Sequence, residues 1–185
     1  MEKKIESAAI KTTAVRIATE ADAELLAKLG WETFYDAFAN NPMMPADDLK
    51  TYLEQAFTAE AVAGEMADPK AVYLIAEVSG AAAGYAKLMT DTSDPQIKTA
   101  RPVKLKRLYV QQSFVGAEVG PALMERCLQE SAARDQDVMW LTVWEHNPRA
   151  QAFYRKWGFT ECGTIDFLVG KSVMNDLVMR RDLKK

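Results

Sequence analysis

Apolar and polar positions alternate in AVRIA at 14–18, and the run AVYLIAEV at 71–78 is joined by a Ser-Gly pair to AAAGYAKLMT at 81–90, which predicts a strand and then a hairpin. Between them the period lengthens. Thr19 followed by Glu20, Asp22 and Glu24 is a helix start, with acids at the positive end of the dipole. In the helix that follows, Leu25, Leu26 and Leu29 lie on one side, whereas Trp31, Phe34, Tyr35 and Phe38 lie on nearly the opposite side. The apolar face therefore turns at Gly30, and a bend or a two-piece helix is expected. NNPMMPADD then breaks the chain. Asp47 or Asp48 is expected to cap a second helix through about Phe57, and Thr58 a third that ends near Asp68 and Pro69.

The second half reads as a polar loop at 91–102, a strand at 103–110, a helix at 117–133, a strand at 138–144, a helix at 148–157, and two strands at about 159–168 and 172–181. Strand-rich ends around a β-α-β-α centre predict an α/β (α+β) chain with a mixed sheet and helices on its faces. Strands 103–110 and 138–144 are the expected parallel pair, because a helix-length crossover joins them. Residues 1–12 have no clear period and are expected to be a flexible lead-in to a single domain spanning 1–185.

Composition narrows the function classes. With 185 residues and 49% hydrophobic content the chain can bury one sizeable core. No apolar run reaches the ~18 residues of a membrane span, and the start lacks a secretion-signal block, so a cytoplasmic protein with no membrane partner is expected. A net charge of −3 argues against nucleic-acid binding and for a small-molecule partner. Cys127 and Cys162 are far apart, with one histidine in the chain and no CxxC, so reduced packing thiols and no metal site are expected.

Two stretches carry the candidate chemistry. In WLTVWEHNPRAQAFYRKWGF, Asn147 is a good helix cap, Pro148 fits the first helical position and Gly158 fits the residue just past the end. Those roles are structural and leave Tyr154 unexplained. Tyr154 stands on the same helical face as Asn147, two turns on, at the edge of an α/β sheet where ligands bind. In LKRLYVQQSFVGAEVGPALMERCL, a strand passes through a glycine-bearing loop into a helix, an arrangement that can offer backbone N–H groups to a phosphate.

LYVQQSFVGAEVGPALM resembles the acyl-CoA motif of the GNAT acetyltransferases, and WLTVWEHNPRAQAFYRKWGF resembles the second GNAT motif nearly residue for residue. ETFYDAF, DDLKTYLEQAF and DFLVGKSVMNDLVMRR are similar to bacterial spermine/spermidine N-acetyltransferases, so the likeness runs from about residue 14 to 182. It implies a GNAT-like mixed, mostly antiparallel sheet with helices on both faces, and acetyl-CoA as cofactor. It also implies that Leu108, Tyr109 and Val110 pair with the pantetheine arm on a strand splayed from its neighbour. Val115, Gly116, Ala117, Glu118, Val119 and Gly120, with Pro121 behind them, would wrap the pyrophosphate. Asn147 would bond the pantetheine, and Tyr154 would protonate the departing sulfur. The backbone N–H of Val110 is placed to stabilise charge on the thioester oxygen. The activity implied is transfer of an acetyl group to a primary amine by direct attack in a ternary complex. Many members are homodimers.

The chain departs from the family pattern twice. Val115 opens the pyrophosphate loop where Arg or Gln is usual, and Glu118 stands where Gly is expected; the reading adopted is that Glu118 turns outward and complements the helix dipole. Some relatives carry an acid on the strand that here bears Lys104 and Lys106, so the base is open among Glu77, Glu145, His146 and water. Trp31, Glu32, Tyr35 and Glu145 are the candidate acceptor residues, Glu32 and Asp36 sharing a stripe with the aromatics that suits a polyamine or other small cationic amine. The lysines weigh against a polyamine if they face the groove. The alternatives are an acyl-CoA-binding module that has lost catalysis and a protein N-terminal or lysine acetyltransferase.

Overall fold

Ser79 and Gly80 both take positive φ, 52° and 81°, and join β2 (Ala71–Val78) to β3 (Ala81–Thr90) in the expected hairpin. The computed structural model describes residues 13–169 and 171–183, so the expected lead-in at 1–12 lies outside the described residues. Around the hairpin run β1 (Thr13–Ile17), β4 (Pro102–Val110), β5 (Val138–Trp144), β6 (Thr160–Val169) and β7 (Ser172–Asp182) in one sheet ordered β1-β2-β3-β4-β5-β7-β6. Neighbours are antiparallel except β4 and β5. This is the mixed, mostly antiparallel sheet expected. No described helix is long and apolar enough to cross a membrane.

Strand alternation sends one set of side chains to each face. Leu74, Ala76, Leu88, Leu105, Met139 and Leu141 form a core with Leu123, Met124 and Cys127 of α4 (Val119–Ala133), and Phe153 and Tyr154 of α5 (Pro148–Lys156) pack against it. Each fully buried Leu or Met here contributes about 1.5–3 kcal/mol. The opposite face is covered by α1 (Ala23–Phe38), α2 (Ala46–Ala56) and α3 (Ala59–Met66). Cys127 is buried as expected of a packing thiol, whereas Cys162 is exposed at the irregularity between Glu161 and Gly163.

Two local expectations are corrected. The helix with the turning apolar face is one uninterrupted sixteen-residue α1, preceded by a 3-10 turn at Glu20–Asp22. Its first half packs Leu26 and Leu29 against Val62, Tyr73 and Ile75, and its second half packs Phe34 against Leu53 and Phe57. Gly30 does not break the helix. It makes room for a ring, since a Cβ there would stand 2.2 Å from Phe57 Cδ1. The second helix is capped by Pro45, with Asp47 and Asp48 inside its first turn, whereas Thr58 caps α3 as expected through Ala61 N–H at 3.0 Å.

The parallel pair forms over three rungs only, Pro102–Lys104 against Val138–Trp140. Beyond them β4 stays on β3 up to Val110 while β5 stays on β7 up to Trp144, so the sheet forks. Gly84 helps hold β4 to its side. A Cβ at that position would stand 2.5 Å from the Tyr109 carbonyl oxygen and 3.1 Å from Val110 Cα, so only glycine allows this approach.

A candidate active site at the fork of the sheet

The Gln111 N–H donates to the Ala83 carbonyl at 2.9 Å, which makes that pair a hydrogen-bonded rung of the β3–β4 ladder. In an antiparallel ladder such rungs alternate, so the peptide groups of Leu108 and Val110 turn away from β3 into the fork. Leu108, Tyr109 and Val110 are all half-buried. The chain then makes a 3-10 turn at Gln112–Phe114 and passes Gly116, with φ 88°, into α4. The N–H groups of Val119 and Gly120 open that helix without intrahelical acceptors, and Pro121 has none to offer. Val110 Cγ2 and the Phe153 ring lie near Gly120, bringing this loop, the end of β4 and α5 together.

Glu118 caps α4 in the left-handed region at φ 59°, which explains why a glycine suits the position. Its side chain is exposed and caps nothing, in agreement with an outward carboxylate. Val115 is also exposed.

The Asn-Pro corner is built as its residues require. Asn147 Oδ1 accepts from Ala150 N–H at 3.0 Å, Pro148 takes the first helical position, and Gly158 at φ 80° closes the far end. There the Phe159 N–H donates to the Tyr154 carbonyl at 3.1 Å and the Gly158 N–H to the Arg155 carbonyl at 3.0 Å, a Schellman closure that fixes the backbone carrying Tyr154. Gln151 Nε2 donates to the Trp144 and Glu145 carbonyls at 3.2 and 2.8 Å, tying α5 to the end of β5. The cap occupies Asn147 Oδ1, and among the described residues its Nδ2 has no acceptor.

Tyr154 packs edge-on against Phe153 and Phe159, and its hydroxyl makes no hydrogen bond among the described residues. Burial first, and then the neighbouring Cys127, raise its phenol well above the ordinary value, so it holds its proton at neutral pH. The Tyr109 phenol is likewise raised by burial and lies within electrostatic range of both Tyr154 and Asp176.

Asp176, which sequence reasoning missed, is an unusual buried group one strand beyond the fork. On β7 it stands across from Trp144 of β5, only 6% exposed, and its Oδ1 has no partner. Trp144 Nε1 is enclosed and unpartnered as well. Burial pushes the Asp176 carboxyl up to about 6, against the Thr142 hydroxyl and the Lys104 charge, with Glu145 adding to the rise. The signal in the sequence was an acid in phase with Met174 and Val178, both buried, on one face of β7.

The candidates for a base named from the sequence lie in different places. Glu77 is held by Arg16 at 2.9 Å on β2, two strands from β4. Glu145 accepts from Asn175 Nδ2 at 3.1 Å at the end of β5, and His146 is exposed with its ring against Trp144. Lys104 does face inward, its Nζ 4.4 Å from the Trp140 ring centroid, whereas Lys106 is exposed and reaches Glu65 at 3.7 Å.

Trp31, Glu32 and Tyr35 come together, with Asp36, Gln111, Gln112 and Ser113, around an open cavity of about 360 Å³ at the end of β4. Gln111 Nε2 donates to Glu32 at 2.8 Å, which anchors α1 to the strand end. Glu145 stands apart from this group, on β5's side of the fork.

The model for the acetyltransferase (GNAT) domain matches residues 18–168. An uncharacterized N-acetyltransferase of Lactobacillus delbrueckii subsp. lactis is 29% identical over 175 residues, covering 92% of this chain and 99% of its own. Another, from Mycobacterium tuberculosis, is 32% identical over 162 residues, covering 88% of this chain and 98% of its own. Among solved structures, the PaiA N-acetyltransferase of Thermoplasma acidophilum in complex with coenzyme A aligns at a TM-score of 0.72 and 16% identity, over 92% of this chain and 99% of its own. The yncA structure from Salmonella typhimurium, solved with its cofactor acetyl-CoA, aligns at 0.68 and 16% identity, over 94% of this chain and 95% of its own. A family match of that length, with relatives similar from end to end, makes this chain a member of the GNAT acetyltransferases.

Proposed function

We propose that the protein transfers the acetyl group of acetyl-CoA to a primary amine by direct attack in a ternary complex, the acceptor being a small cationic amine such as a polyamine. The observation that carries this reading is the fork, in which, among the described residues, no β5 rung stands opposite the Leu108 and Val110 peptide groups, together with a Tyr154 phenol that keeps its proton.

The residues present fit the cofactor. Open strand amides match the amides of pantetheine, the Asn147 Nδ2 donors add to them, and the loop from Val115 to Gly120 ends in unpaired N–H groups suited to phosphate oxygens. Bound acetyl-CoA supplies an activated thioester. The chain's own part is positioning and charge. With acetyl-CoA bound, the Val110 N–H would stabilise oxygen charge that develops on the carbonyl as the amine nitrogen bonds its carbon. As the carbon–sulfur bond breaks, the Tyr154 hydroxyl gives its proton to sulfur, and its raised affinity for that proton keeps it loaded until then. Acceptor binding is assigned to Trp31, Glu32, Tyr35 and Asp36, whose rings and carboxylates suit an extended cation. Lys104 at the floor of the fork disfavours a second positive charge there and leaves the distal charge to this outer groove.

One observation favours a second reading. The Glu118 carboxylate stands at the pyrophosphate loop and would weaken cofactor capture, as in a binding module without catalysis. Thiol release from acetyl-CoA with a panel of amines separates the two. Turnover that falls about 100-fold or more in Tyr154→Phe, with acetyl-CoA binding retained, supports the transferase. Binding without thiol release from any amine supports the module.

A further inference from the structure

The thioester side of this reaction has a proton donor on α5, but on β4 the inward-facing side chain is Lys104, and Lys106 turns out to Glu65, so β4 supplies no carboxylate base. Across β5 from β4, strand β7 offers what β4 lacks. Asp176 is 6% exposed and its Oδ1 is enclosed with no donor, beside the equally unpartnered Nε1 of Trp144. Buried carboxylate oxygens are almost always hydrogen-bonded, so one without a donor, within electrostatic range of Lys104 and Tyr109 on β4, marks a place for a donor brought by a ligand. We propose that Asp176 receives the ammonium of the acceptor and takes a proton from it before attack, an inference that rests on the acetyl-transfer reading above.

The groups facing Asp176 are consistent with that task. Lys104 and Tyr109 approach from β4, Thr142 from β5 and Glu145 from the turn that follows, while Asn175 on β7 is tied to Glu145. Lys104 Nζ lies 4.4 Å from the Trp140 ring centroid and does not hydrogen-bond Asp176 Oδ1. Because burial raises its carboxyl to about 6, Asp176 is a better base than an exposed aspartate and is still ionised at neutral pH.

The protons balance. The ammonium nitrogen loses two on becoming an amide. Asp176 takes the first, freeing the lone pair that bonds the carbonyl carbon, and later releases it to solvent. The second restores the Tyr154 phenol, whose own proton has gone to the sulfur.

The test is the pH profile of kcat/KM for the amine, measured by thiol release with spermidine, putrescine, butylamine and an amino-acid amide. Wild type is expected to lose activity as pH falls through about 6. Asp176→Asn is expected to lower kcat/KM at pH 7.5 by about 100-fold or more and to abolish that limb, with the thermal shift on acetyl-CoA unchanged. Lys104→Gln removes a charge that favours the carboxylate, so it should move the limb to higher pH, and it serves if Asp176→Asn does not fold. His146→Asn should keep the limb, which separates the Asp176 carboxyl from the exposed imidazole beside Trp144. An Asp176→Asn enzyme that keeps the wild-type limb, or a Lys104→Gln enzyme whose limb does not move, overturns the role of Asp176 while leaving the acetyltransferase reading intact. Wild type that binds acetyl-CoA but acetylates nothing in the panel overturns both.

Discussion

Glu118 shows how one side chain can work against its position. At φ 59° a residue with a Cβ costs roughly 1–2 kcal/mol relative to the right-handed region, and here the side chain is also charged and exposed at the loop read as the pyrophosphate site. Glu118→Gly relieves the strain but loosens the unfolded chain by ~0.5–1 kcal/mol, so the melting midpoint should move little. Affinity should move more. Removing one negative charge at about 8 Å in a wet environment gains roughly 0.5–1 kcal/mol, a 2- to 5-fold lower Kd for acetyl-CoA by calorimetry, with most of the gain lost in high salt. Glu118→Gln should reproduce the affinity change without the strain relief; equal affinities in all three proteins would show that the carboxylate is too far away to matter. Caps such as Thr58 and Asn147 were legible because their partners lie three residues on. Asp176 was not, because its importance depends on which strand faces it, and residue spacing does not carry that register.

At the scale of elements, Gly84 and the corner of α5 set the width of the fork from opposite sides. A side chain at Gly84 meets backbone, so Gly84→Val must push the end of β4 away from β3. It is expected to cost about 1–3 kcal/mol and to weaken acetyl-CoA binding by at least about tenfold, because Leu108 and Val110 move with the strand. Thermal melts with and without cofactor check this, and an unchanged ligand-induced shift would separate the glycine from the site. Local patterning revealed nearly every element, including the hairpin and both motif helices. It failed at α1, where two apolar faces looked like a bend. The explanation lies in a partner more than twenty positions away, since Phe57 fills the space beside Gly30 and two separate clusters receive the two faces. The three-rung extent of the parallel pairing was equally out of reach of periodicity.

For the molecule as a whole, the face opposite the α4 core depends on one carboxylate. Glu65 of α3 accepts from Lys87 at 2.8 Å, Arg107 at 2.7 Å and the Tyr73 hydroxyl at 2.5 Å, and both cations are almost fully buried. Burial pushes the Glu65 carboxyl up, but Arg107 and Lys87 outweigh it and hold it at about 2. A carboxyl depressed in the folded state stabilises above its unfolded value near ~4.5, and that contribution disappears as pH falls toward 2. Glu65→Gln should therefore destabilise the protein by about 3 kcal/mol at pH 7, mostly by stranding Lys87 and Arg107, and the gap should narrow in urea melts repeated at pH 3. A constant gap across that range would assign the loss to packing instead.

The short union of β4 and β5 makes this sheet two blades joined near one end, one blade ending in β4 and the other beginning at β5. A guest lying along Leu108 and Val110, as proposed above, would occupy the space where further rungs would form and so act as mortar as well as reagent. On the proposed reading the molecule would be stiffest when loaded, and releasing the spent carrier would mean loosening a joint of its own architecture.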